Sequence, residues 1–169
     1  MLGIESAERH LDDPARARAE LARLHEAGSE AVTEVRRIVY ALRPPVLDSL
    51  GLDGAIRQQA ERLGAARVDL APLPELTDTL EIGVYLIALE AMKNAAVHAR
   101  PGSFWVRLAA ADRLALEVQD DGPGLTPGYR PGVGIASMRD RAAELGGTFD
   151  LLPRRPCGTV VRAEWELPA

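Results

Sequence analysis

One cysteine, Cys157, in 169 residues excludes an intrachain disulfide and any metal site built from clustered thiolates, and it fits a reducing compartment. No apolar run reaches the roughly 18 to 20 residues that cross a bilayer as a helix, and the N-terminus lacks the basic-then-apolar pattern of a secretory signal. The chain therefore reads as soluble and cytoplasmic, with any membrane attachment supplied by regions outside it. An excess of positive charge is missing too. Twenty basic against 25 acidic residues give a formal net charge of −5, which argues against nucleic acid or an acidic membrane as partner, although nearly all the basic residues are arginines. Internal repeats and low-complexity segments are also absent. What is present is an ordinary globular composition, 47% hydrophobic, enough for one sizeable core and an appendage. Cys157 itself reads as a small, partly buried strand residue.

Residues 1 to 43 read as two helices. Asp12 or Asp13 caps the second and Pro14 takes its first position, where the missing N–H does no harm. Leu21, Leu24, Gly28, Ala31, Val35, Ile38 and Leu42 then recur at steps of three and four, a heptad seam. A helical hairpin with so narrow an apolar stripe finds its partner by dimerising into a bundle. Because the chain begins inside what reads as helix, it is expected to be a piece of a longer protein. In "LRPPVLDSLGL", Pro44 and Pro45 stop the helix, and Asp48 or Ser49 caps a further one through Leu52, Ile56, Ala60 and Leu63. A short strand follows in "GAARVDLAPLP". Asp78 and Glu81 form a possible cap pair for a long helix ending near Ala99. The period then changes to two: "SFWVRLA" and "RLALEVQD" read as a hairpin, and two more strands follow a helix over 134–146. This order predicts an α+β fold, a two-layer sandwich with helices on one side of an antiparallel-rich sheet. The domain reading is 1–45 for dimerisation helices, 46–66 for a hinge and linker helix, and 67–169 for the main domain.

Three stretches carry chemistry. In "LEAMKNAAVHA" Glu90, Asn94 and His98 are four apart and share one helix face, with Lys93 at its border. A buried asparagine beside a carboxylate costs on the order of 1–3 kcal/mol if unpaired, so the pair calls for an ion or a polar ligand. The plainer reading is a solvated stripe. In "VQDDGPGL" a strand ends at Asp120 and the chain at once passes Gly122 and Gly124, residues that let backbone turn sharply and approach a flat ligand. In "GVGIASM" Gly132 and Gly134 lead into a helix N-terminus, whose free N–H groups attract phosphate. Each signal alone is weak; the three in this order, with Gly158 and Thr159 opening the last strand, are far more specific.

Together these stretches resemble the GHKL-type (Bergerat) ATP-binding domain shared by sensor histidine kinases, type II topoisomerases, mismatch-repair ATPases and the large heat-shock chaperone. "EAMKNAAVHA" matches the N box of that superfamily, "DDGPG" the first glycine box and "GVGIASM" the second. "EVRRIVYALRPPVLDSLGLDGAI" and "MRDRAAELGG", with the short stretch between Gly124 and Gly132, are similar to the nitrate-sensor type of histidine kinase. The resemblance implies ATP and Mg²⁺ as cofactors, a response-regulator receiver domain as partner, and a homodimer. It assigns the adenine amino group to Asp120 with help from Thr159, and the approach of adenine to Gly122 and Gly124. Mg²⁺ goes to Asn94, and phosphate contacts to Gly132, Gly134, His98 and Lys93. Glu90 joins Asn94 as catalytic, orienting either the metal's waters or the target imidazole.

Two departures stand out. Val97 occupies a position that is basic in many relatives. Neither His10 nor His25 fits the expected phosphoacceptor, a His-Asp or His-Glu pair on the first dimerisation helix, so the acceptor is expected outside this segment. The rival readings are a stand-alone serine kinase of the anti-sigma type, which would not follow an "LRPP" helix, and a catalytically inert partner-binding module.

Overall fold

The computed structural model describes residues 43–99, 103–125 and 128–167, together with Arg18, Ala19, Leu21 and Ala22, which are helical and exposed. The remainder of the heptad seam, His10 and His25 lie outside the described residues. The chain divides into two compact units, Met1–Leu42 and Arg43–Ala169, and the second carries the architecture that follows. Its elements run α1 (Pro45–Leu63), β1 (Arg67–Leu70), α2 (Asp78–His98), β2 (Phe104–Ala110), β3 (Arg113–Asp120), α3 (Val133–Glu144), β4 (Thr148–Pro153) and β5 (Thr159–Glu166).

The strands form one sheet in the order β1-β2-β3-β5-β4, with β1 parallel to β2 and every other pair antiparallel. Alternation decides its faces. Leu114, Leu116, Val118 and Asp120 of β3 are buried while Ala115, Glu117 and Gln119 are partly exposed, so one face meets the helices and the other meets solvent. The register aligns one aliphatic rung across all five strands, Val68, Val106, Val118, Val161 and Leu151. Fully buried Leu108, Leu114, Leu116, Ile87, Met92 and Met138 fill the space between layers. This is the expected α+β fold.

Local starts differ from expectation. Helix α1 begins at Pro45, three residues before Asp48, because proline at the first helical position costs no hydrogen bond. It bends at Gly51 (φ 65) and closes at Gly64 (φ 82), whose N–H reaches the Ala60 and Glu61 carbonyls. Leu47, Leu52, Ile56 and Ala60 of α1 are buried within the same compact unit as the sheet, where the sequence suggested a separate linker. Helix α2 is capped by Thr77, whose hydroxyl accepts the Leu80 N–H at 3.4 Å. Asp78 and Glu81, offered as its cap pair, turn instead to Arg43, whose guanidinium donates to Asp48 (2.7 Å), to Asp78 (2.6 Å) and to Glu81. These carboxylates hold the Arg43 pKa above its ordinary value, the hydrogen bond to Glu81 being the main cause. Cys157, expected to be partly buried in a strand, is exposed between β4 and β5.

Candidate functional site

A cavity of about 290 Å³ opens between α2, the sheet and the chain leading into α3. Its floor is the rung Val118, Val161 and Leu151; Ala91 and Ala95 form the wall along α2. Glu90, Asn94 and His98 project from α2 into the same space, and Asp120, Thr159, Gly124, Gly132 and Gly134 complete it. Eight of the residues singled out in the sequence thus meet around one void.

Asp120 ends β3 as a buried carboxylate, 8% exposed. Its Oδ1 accepts the backbone N–H of Gly122 (2.9 Å) and of Thr159 (3.2 Å). Among the described residues no donor reaches Oδ2. A carboxylate held by one oxygen presents the other as an acceptor of fixed direction, suited to an amino group.

The glycines divide by role. Gly122 does not line the cavity. A Cβ there would stand 2.9 Å from both the Ala99 Cα and the His98 carbonyl oxygen, so this glycine lets the turn after β3 press against the end of α2. Gly158, at φ +110, lies so close to the Asp120 carbonyl that any side chain would overlap it. These two contacts draw α2, β3 and β5 together at Asp120. Gly124 (φ +76) borders the cavity directly. At Gly134 a Cβ would collide with Glu90 Oε1, whereas Gly132, in extended backbone, has open space around it.

Lys93 stands apart. It lines a neighbouring recess of about 500 Å³ with Val133, Ser137 and Arg141, a recess that shares only Glu90 and Gly134 with the main cavity. The main cavity has two carboxylates, Glu90 and Asp120, one imidazole, and no lysine or arginine among its described lining residues. Positive potential comes from the N-terminus of α3, which has no acidic residue in its first turn and so leaves its free N–H groups open to an anion. No cluster of three or more His, Cys, Asp or Glu occurs among the described residues, so those residues alone build no closed metal cage. A hard divalent cation held by an amide, a carboxylate and ligand phosphates needs none; the cavity is lined by one amide, Asn94, with the Glu90 carboxylate one helical turn before it. Sequence reasoning missed Pro123, Leu125, Tyr129 and Ile135 in the lining. The floor was available from the period-two alternation, but Tyr129 had no comparable signal.

Residues 79–169 match the family described as histidine kinase-, DNA gyrase B- and HSP90-like ATPase, and residues 1–47 match a histidine kinase family. The signal transduction histidine-protein kinase/phosphatase UhpB of Salmonella typhimurium is 33% identical over 129 residues, covering 69% of this chain and 25% of that protein. The oxygen sensor histidine kinase NreB of Staphylococcus carnosus is 31% identical over 146 residues, covering 80% of this chain and 42% of that protein. The chain thus spans between a quarter and about two fifths of the length of these relatives. Among solved structures, the histidine kinase domain of the Erythrobacter litoralis blue-light activated kinase shares the fold, with a TM-score of 0.58 at 20% identity, covering 66% of this chain and 57% of that one.

Proposed function

Since the chain belongs to the histidine kinase-, DNA gyrase B- and HSP90-like ATPase family, with a histidine kinase match ahead of that domain, we propose that it is the catalytic part of a two-component sensor kinase. In this reading it binds ATP with Mg²⁺ and delivers the γ-phosphoryl group to a histidine, for relay to a response-regulator receiver domain by a dimeric protein. The observation that carries the reading is the meeting of Asp120, Thr159, Asn94, Glu90 and His98 around one cavity beside a helix N-terminus.

Each group then has a task. Asp120, locked through Oδ1, accepts the 6-amino group of adenine and rejects a 6-oxo purine, whose oxygen would face a carboxylate. Gly132, Gly134 and the N-terminus of α3 offer backbone donors to the phosphates, and His98 adds a side-chain donor. Asn94, with Glu90 beside it, would hold Mg²⁺; when bound, that ion neutralises phosphate charge which no lysine or arginine in the described cavity lining meets. Glu90 orients the incoming imidazole. Lys93, in its separate recess, is placed to meet a terminal phosphate only beyond Glu90. The transfer breaks the bond between the γ-phosphorus and the ADP oxygen and forms one to a ring nitrogen, so the chain's work is positioning.

The match over residues 1–47 favours this reading over a stand-alone serine kinase. Neither His10 nor His25 is assigned as acceptor. Incubation with γ-labelled ATP and Mg²⁺ tests both points: the chain is expected to retain nucleotide, to lose it on chelation of Mg²⁺ or in Asn94→Ala, and to acquire no acid-labile label. Label that disappears in His25→Ala would overturn the acceptor assignment. Nucleotide retention indifferent to both Mg²⁺ and Asn94 would favour the inert module.

A further inference from the structure

The loop between Gly124 and α3 places Tyr129 on the cavity. With the His98 imidazole, its ring is one of two aromatic rings among the described residues that line it. Apart from His98 and the polar groups already described, what could touch a flat ligand is aliphatic or backbone: Val118, Val161 and Leu151 below, Ala91 and Ala95 on the helix side, Gly124 and Leu125 on the loop. Tyr129 is 43% exposed, and among the described residues it makes no hydrogen bond, ion pair or ring contact. A tyrosine ring offers a large apolar face with few rotatable bonds, and such faces stack on nucleobases whatever the base. The three other described aromatic positions that are buried, Tyr85, Phe104 and Trp165, belong to the core.

Resting on the nucleotide-binding reading above, we propose that Tyr129 is a binding residue for the purine. Its ring covers the face of the base turned away from the aliphatic floor, while Asp120 holds the amino edge. The division of labour is physical: Asp120 selects the base by hydrogen bonding, and Tyr129 adds affinity without selecting. The phosphates stay with α3 and its preceding glycines.

The test is calorimetric titration of the whole chain with two probes, a non-hydrolysable ATP analogue with Mg²⁺, and adenosine. Base stacking is worth about 5- to 150-fold in affinity on removal of the aromatic ring. Tyr129→Ala is expected to weaken both probes by the same factor in that range, while Tyr129→Phe stays within about twofold of wild type, since the ring and not the hydroxyl makes the contact. The exposed position makes a folding defect unexpected, and melting temperatures of both variants check this. Unchanged binding of both probes by Tyr129→Ala would overturn the proposal and leave the nucleotide site standing. A loss confined to the ATP analogue would assign the contact to the phosphates, and an equal loss in Tyr129→Phe would assign it to the hydroxyl; either overturns the stacking role. Failure of wild type to bind the ATP analogue would overturn the nucleotide reading and this proposal with it.

Discussion

Glu117 and Asp120 lie three residues apart on β3 but on opposite faces of the sheet, and their surroundings differ accordingly. On the open face, Glu117 is fully served by side chains: Arg162 donates to its Oε2 from Nε (3.0 Å) and Nη2 (2.7 Å), and Gln119 donates to its Oε1. Partial burial pushes the Glu117 pKa upward, but the hydrogen bonds from Arg162 and Gln119 outweigh it and hold the pKa below the usual carboxylate value. On the covered face, Asp120 has, among the described residues, only two backbone N–H groups as partners, both on one oxygen. A carboxylate that serves the fold comes with its own cation, whereas Asp120 is oriented by the backbone and left open on its cavity side. The two faces show how, on a single strand, an acid satisfied by the fold differs from one left open to a ligand.

Substitutions can break this contrast. Gly158→Ala should have the largest effect, because it combines a left-handed backbone with overlap on the Asp120 carbonyl; about 2–4 kcal/mol of destabilisation is expected in a urea melt. Gly122→Ala, which meets backbone at 2.9 Å, should cost about 1–3 kcal/mol and shift Asp120 with it, so nucleotide affinity falls along with stability. Glu117→Gln should cost only about 0.2–1 kcal/mol, as for a partly exposed ion pair. Its sign with pH is fixed: a carboxylate whose pKa is depressed by folding contributes fully above its unfolded pKa and loses that contribution as pH falls through the folded value. The stability gap between wild type and Glu117→Gln should therefore close in acid, below the usual carboxylate range. The smallest effect is expected for Arg43→Ala. Its surface ion pairs with Asp48 and Asp78 and its partly buried pair with Glu81 should matter most at low ionic strength and weaken strongly near 1 M salt, where the screening length is about 3 Å.

Much of this was legible in the chain because the signals are local. The alternation through Leu114, Leu116 and Val118 marks the covered face, and the spacing of Glu90, Asn94 and His98 puts them on one side of α2. What was not legible depends on tertiary contact. Nothing in "TDTLE" tells that Arg43, 35 residues upstream of Asp78, takes the carboxylates that would otherwise cap the helix. Gly122 reads as a residue for ligand approach, yet its missing side chain makes room for the end of α2. Lys93 borders the right helix face by spacing, but the turn of the helix delivers it to the neighbouring recess. Packing of α1 into the main unit was hidden by Pro44 and Pro45, which read as a hinge while supplying a helix start.

The central claim is that Asp120 is open to an amino-bearing base while Glu117 is closed. Calorimetric titration of wild type, Asp120→Asn and Glu117→Gln with a non-hydrolysable ATP analogue and Mg²⁺ tests it directly. Losing a charge-assisted hydrogen bond should weaken Asp120→Asn by about 10- to 100-fold, with Glu117→Gln within about twofold of wild type. Equal affinities for all three proteins, or equal losses in both variants, would contradict it.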